Sequence, residues 1–238
     1  MAVGFSLGET EVDVVFKDIK NIHLSVYPPA GKVRVAAPLR MDLDTIRVFT
    51  ISKLDWIKKQ QRKFREQDRE TPREYLERES HYLWGKRYLM NIVEQDVAPR
   101  VELEHRRIVL IVRPGTDERK RQEVMDSWYR TQLRFAAHPL IRKWEQRLDV
   151  RIDRLFIRKM KTRWGSCNPS SKSIRLNTDL AKKPKVCLEY IVVHELAHLI
   201  EPNHGTKFVE LMDHFLPKWR IYREQLNRLP VSHEEWMY

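Results

Sequence analysis

The chain has 238 residues, of which 42% are hydrophobic, 10% aromatic and 33% charged. That is enough apolar material for a sizeable core in one or two domains and too much for a disordered chain. No apolar run approaches the roughly 18 residues that span a bilayer; the longest lies near Ile108–Val112. The start from Met1 to Glu9 shows neither a basic flank nor a long apolar stretch. Two cysteines, Cys167 and Cys187, are too few for a disulfide framework, so a reducing cytoplasm is the expected compartment and no membrane is an expected partner.

The formal net charge is +12 and it is uneven. Residues 1–100 hold 18 basic against 15 acidic side chains, and residues 101–238 hold 27 against 18. Residues 151–185 alone carry eleven basic side chains against Asp153 and Asp179. A field of that sign attracts nucleic acid or acidic polypeptides. Alternation along a strand sends Arg158 and Lys159 to opposite faces, which divides the patch. The expectation is weak, sequence-independent nucleic-acid binding that is largely lost by physiological salt.

In chain order, alternation in Glu11–Phe16 and His23–Tyr27 predicts two strands, and Pro28-Pro29-Ala30-Gly31-Lys32 turns into a third, Val33–Ala36. These are expected to form an antiparallel sheet. From Asp42 the apolar positions Ile46, Phe49, Ile51, Leu54, Trp56 and Ile57 follow a helical period, which predicts one long helix ending in a polar connector near Gln67–Pro72. Residues 82–113 return to short strands, and Pro114-Gly115 marks a boundary near 115. A helix is expected from about Asp117, then a strand at Leu155–Ile157, then a hairpin whose second strand is Lys172–Asn177. Neither a repeat nor a low-complexity tract is visible. The predicted class is α+β: a β-rich part over 1–115 and a catalytic part of helices and a β-hairpin over 116–238.

The chemistry concentrates in His194-Glu195-Leu196-Ala197-His198. Pro184 suits the first turn of the preceding helix, and histidines at i and i+4 lie on one face, so both imidazoles can reach one metal ion. Glu195 sits beside that face, where a carboxylate can miss the metal and accept a proton from water. Because Ile191, Val192, Val193, Leu196 and Ala197 make this helix apolar nearly all round, a metal would offset the cost of burying the two imidazoles. Pro202-Asn203 turns the chain before His204, which can point back as a third ligand. Three imidazoles with one open position suit a single catalytic zinc ion per chain. Glu210 and Asp213 are alternative third ligands.

These residues carry a resemblance. The chain resembles the YgjP-like family of zinc metallopeptidases, relatives of the WLM and SprT-like zincins, through Arg163-Trp164-Gly165-Ser166-Cys167, Ile174, Leu176-Asn177, Pro184, Tyr190, Val193, the His-Glu-Leu-Ala-His pentapeptide, Asn203-His204 and Phe208. The resemblance covers about residues 155–228 specifically and implies a zincin-like fold there, with His194, His198 and His204 as zinc ligands and Glu195 as catalytic base. Gly205 and Val209 depart from the family's usual serine and tryptophan. The histidine spacing also equals that of metzincins, but Glu201 occupies their glycine position.

Further candidates follow from these readings. Ile174, Leu176 and Asn177 are expected to bind substrate if their strand is an edge that pairs with an extended polypeptide; the alternative reading is an internal strand already paired on both sides. Tyr190, Arg163 and Asn177 are candidates for electrophilic help. Trp164, Cys167 and Cys187 read as packing residues. The expected function is a zinc-dependent metallopeptidase acting on polypeptides, with a nucleic-acid-associated protease and a non-enzymatic metal-binding module as rivals.

Overall fold

The computed structural model describes residues 3–27, 31–66, 74–160 and 163–229. The expected turn at Pro28–Ala30 and the connector at Gln67–Pro72 lie outside them. The chain divides into two compact units, Met1–Glu70 with Pro230–Tyr238, and Thr71–Leu229. The class is α+β, as expected. Among the described residues no helix is long and apolar enough to cross a membrane.

The first unit builds a four-stranded sheet from β1 (Val3–Leu7), β2 (Thr10–Lys17), β3 (His23–Tyr27) and β4 (Lys32–Pro38), ordered β1-β2-β4-β3. Val12, Val14, Val33, Val35 and Ala37 alternate inward and meet Ile46 and Ile57 of the helices in a small core. The sheet is mixed rather than antiparallel, because β2 and β4 pair in parallel while β3 folds back along the outer side of β4. The expected long helix is two helices, α1 (Leu43–Ser52) and α2 (Leu54–Glu66). α1 is capped by the Asp42 carboxylate, which accepts from the Thr45 N–H. At its end the Ser52 hydroxyl donates to the Phe49 carbonyl and the Lys53 N–H to the Thr50 carbonyl. These local bonds close the last turn and compete with its continuation.

The second unit opens with the same topology. β5 (Ser80–Leu83), β6 (Lys86–Glu94), β7 (Arg100–Leu103) and β8 (Arg107–Val112) are ordered β5-β6-β8-β7, with β6 and β8 parallel. A helix with an aspartate cap follows here too: α3 (Glu118–Leu148), capped by Asp117. The two units thus share a four-strand-plus-helix plan in which the first turn is a glycine at positive φ, Gly8 or Gly85. The expected boundary near residue 115 falls at the β8–α3 turn, inside the second unit.

Next come β9 (Arg154–Arg158), β10 (Gly165–Asn168) and β11 (Ser173–Asn177), forming a sheet ordered β10-β11-β9. A 3-10 turn at Thr178–Lys182 leads through Pro184 into α4 (Lys185–Ala197), and α5 (Thr206–Phe215) and α6 (Trp219–Arg228) close the unit. The β5–β6 turn steadies the start of α4: the Trp84 and Gly85 N–H groups donate to the carbonyls of Ala181 and Lys182. α4 is buried on nearly every side, with Leu188, Val192, Val193 and Leu196 fully buried against α3, α6 and β10. Each such side chain contributes about 1.5–3 kcal/mol by leaving water, so α4 is a rigid support for whatever its last turn carries.

Candidate metal centre

The last turn of α4 carries His194 and Glu195, and His198 caps it. The chain then turns through Glu201–Asn203 and returns as α5, which brings His204 back over the helix end. The ring centroids of His194, His198 and His204 lie 4.6–5.0 Å apart, and one ligand nitrogen from each falls within 4.8 Å of the others. Beneath them Phe208 of α5, itself buried, touches all three rings at centroid distances of 4.7–5.0 Å. The cluster therefore has an apolar floor, and spacing alone did not single out Phe208.

The donor set suits a metal ion. The Nε2 atoms of His194 and His204 are 3.1 Å apart, close to the roughly 3.3 Å that separates two nitrogens on one tetrahedral zinc with bonds of about 2.0–2.1 Å. His198 Nδ1 is hydrogen-bonded to the Glu201 carbonyl at 3.1 Å, which places its proton there and frees Nε2. Burial, with the charges of His198, His204 and Arg223, pulls His194 down to about 3, and burial also lowers His198. Imidazoles held neutral in this way are ready ligands. Among the described residues the buried Nδ1 of His194 has no hydrogen-bond partner. A cation on its Nε2 would fix the proton on Nδ1.

Glu195 is 5% exposed and lines the same pocket, a cavity of about 500 Å³ walled by Arg163, Trp164, Gly165, Cys167 and Ile191. Burial pushes its carboxyl up to about 8, against the opposing pull of the Arg163 guanidinium. Gly165 makes this approach feasible, since a Cβ there would sit 2.6 Å from Glu195 Oε1 and 2.9 Å from Ile191 Cγ2. Cys167 faces the pocket, but burial and then the nearby Glu195 raise its thiol to about 11, so it stays protonated and is a poor nucleophile.

Other expectations change. β11 is the central strand, hydrogen-bonded to β10 on one side and β9 on the other. Ile174, Leu176 and Asn177 are therefore not an open substrate edge: Ile174 and Leu176 point into the core, and the Asn177 amide donates to the carbonyls of Met160 and Arg163. Among the described residues, the strand beside the pocket with an unpaired edge is β10. Tyr190 is buried behind His194, stacked on Trp219, and does not line the pocket. Of the alternative ligands, Asp213 is engaged by the Trp219 indole and Arg220, and among the described residues the three-histidine cluster includes neither it nor Glu210.

Residues 20–229 match the family profile described as the YgjP-like metallopeptidase domain. The chain belongs to the YgjP-like metallopeptidase family. Its histidine cluster, Glu195 and β10 all fall inside the matched span. No curated protein sequence matches the chain. Solved structures similar to this YgjP-like chain include the metallopeptidase zymogen jannalysin of Methanocaldococcus jannaschii, 23% identical over 38% of this chain and 92% of that one, with a TM-score of 0.34. The metallopeptidase zymogen abylysin of Pyrococcus abyssi is 19% identical over 40% and 99%, with a TM-score of 0.36.

Proposed function

We propose that this YgjP-like chain hydrolyses peptide bonds with one zinc ion held by His194, His198 and His204 and with Glu195 as the proton-accepting base. The observation that carries the reading is the convergence of three imidazoles on a pocket that also holds a buried carboxylate. Zinc held there would supply Lewis acidity to water and to the peptide carbonyl. Glu195, one residue from His194 yet outside the nitrogen cluster, would take the proton from the attacking water and pass it to the leaving amine. Arg163, on the rim of the pocket, keeps positive charge beside Glu195.

The backbone of Gly165–Asn168, paired on one side alone among the described residues, would bind an extended polypeptide by strand addition and hold its scissile bond over the histidines. All of these groups lie within residues 116–238, the part we assign as the peptidase. Two unpaired cysteines accord with a reducing cytoplasm.

The test is hydrolysis of a reduced, unfolded protein by zinc-loaded enzyme, after chelation, and after zinc is restored. Activity should vanish and return. Glu195→Gln should keep its zinc and lose about 10²–10⁴-fold in turnover. Hydrolysis that survives chelation, or a Glu195→Gln variant near wild-type rate, would contradict the proposal.

A further inference from the structure

Of the basic side chains in residues 151–185, Arg163 lines the histidine pocket; the proposed hydrolysis uses none of the others. Alternation was expected to divide the charge of this stretch, with Arg158 and Lys159 on opposite faces, but Lys159 lies beyond the end of β9. The register of the β9–β11 sheet gathers three cations, Arg158 among them. Arg154, Phe156 and Arg158 alternate to one face of β9, while Leu155 and Ile157 pack on the core. In the parallel pairing Phe156 stands opposite Arg175, whose neighbours Ile174 and Leu176 are buried. Arg154, Arg158 and Arg175 are all exposed. The guanidinium carbons of Arg158 and Arg175 each lie 5.9 Å from the Phe156 ring centroid.

Among the described residues none of these three arginines has an ion-pair partner, and no residue of β9, β10 or β11 is acidic. Two unneutralised guanidinium groups beside one ring repel each other, and an anion between them would relieve that repulsion.

We propose that this solvent face binds single-stranded nucleic acid, with Arg154, Arg158 and Arg175 on phosphates and Phe156 as a platform for an unpaired base. Guanidinium groups match phosphate oxygens bidentately, and stacking on an aromatic ring is open to any base. An acidic polypeptide fits the face less well. Its carboxylates would meet the guanidinium groups but leave the Phe156 ring without a stacking partner, which an unpaired base supplies. A duplex keeps its bases stacked internally and cannot use Phe156. Ser166, opposite Arg175 in the register and also on the pocket wall, shows that the arginine face and the histidine pocket share strand β10.

The experiment is fluorescence anisotropy of a labelled 20-nucleotide single strand with the full chain at 50 and 150 mM salt. Three phosphate contacts at about 0.7 each predict a log–log salt slope near −2, hence roughly tenfold weaker binding at the higher salt. Replacing all three arginines by glutamine should abolish binding, and each single replacement should reduce the slope by about 0.7. Phe156→Leu should weaken binding about tenfold without changing the slope, and Phe156→Trp should restore it.

Hydrolysis of a short uncharged peptide should be the same in all of these variants, which separates this proposal from the peptidase reading. Absence of wild-type binding at 50 mM salt, or a triple variant that binds within twofold of wild type, would overturn it. So would polyglutamate competing as well as the strand while Phe156→Leu has no effect, since the face would then be one for acidic polypeptides.

Discussion

Gly165→Ala isolates the contact between strand β10 and the proposed base. The backbone at Gly165 does not adopt positive φ, so alanine is conformationally acceptable there, and the loss of unfolded-chain freedom would by itself stabilise by about 0.4–1 kcal/mol. The added Cβ, however, meets Glu195 Oε1 at 2.6 Å, Glu195 Cγ at 2.9 Å and Ile191 Cγ2 at 2.9 Å. Rotating the carboxylate away relieves the first contact alone. The other two atoms are close to the α4 backbone, so either Glu195 or β10 must move by ~1 Å to reach ordinary packing distances.

Overpacking of this kind costs about 1–3 kcal/mol, leaving a net destabilisation of ~0–2.6 kcal/mol after the backbone gain. A displacement of that size at a reacting group costs on the order of 10²-fold in rate. The three atoms nearest the new methyl group belong to Glu195 and Ile191 rather than to a histidine, so zinc content should stay at the wild-type level. Thermal unfolding, metal analysis and steady-state hydrolysis on one preparation read all three effects. Activity within threefold of wild type at unchanged stability would show that Glu195 is not held against β10 as described.

Three other perturbations probe the frame. Asp179 is buried and lies 2.8 Å from the Lys182 ammonium. Burial alone would raise its carboxyl, but Lys182, Lys159 and Lys183 outweigh it and hold it below the ordinary value. Its stabilisation is therefore present above the ordinary carboxylate pKa and is lost as pH falls through the lowered one. Asp179→Asn should destabilise the protein by about 3 kcal/mol at neutral pH, and denaturant titrations should show the gap to wild type closing in acid. Glu189 accepts from Lys143 Nζ at 2.7 Å and from the Trp144 indole at 3.0 Å, tying α4 to α3. Glu189→Leu should cost about 1–3 kcal/mol by leaving a buried N–H unsatisfied, which chemical denaturation would measure. Asp42→Ala removes the α1 cap and should cost about 1 kcal/mol in the first unit. Hydrolysis should stay at the wild-type rate, because every proposed catalytic group lies in the second unit.

The chemistry of the pocket was more legible than its walls. Helical spacing puts His194 and His198 on one face, and the turn at Pro202-Asn203 brings His204 to them; both follow from backbone geometry. Pairing direction does not. Alternation marks β2 and β4 as strands and apolar runs place short strands within residues 82–113, but neither pattern distinguishes parallel from antiparallel neighbours, so the two mixed four-stranded sheets and their shared topology emerged from the structure alone. The same ambiguity left the strand of Ile174, Leu176 and Asn177 open between an edge and an internal position, and the pairing of β9 on its other side makes it internal. Gly165 carries no side chain to advertise what comes close to it. The break at Lys53 contains neither glycine nor proline, and arises from short hydrogen bonds of Ser52 and Lys53 that a helical period does not encode. Arg154, Arg158 and Arg175 look scattered in sequence and become one face through the β9–β11 register.

If three histidines of this YgjP-like chain hold one zinc ion, the metal content per chain will report it. Elemental analysis of zinc-loaded, buffer-exchanged protein should give about one zinc per wild-type chain. His194→Ala and His198→Ala should lose it, His204→Ala should bind far more weakly, and Glu210→Ala should stay at the wild-type level, all with unchanged far-UV circular dichroism. Full zinc occupancy in any of the three histidine variants would contradict the account, as would loss of zinc from Glu210→Ala while His204→Ala retained it.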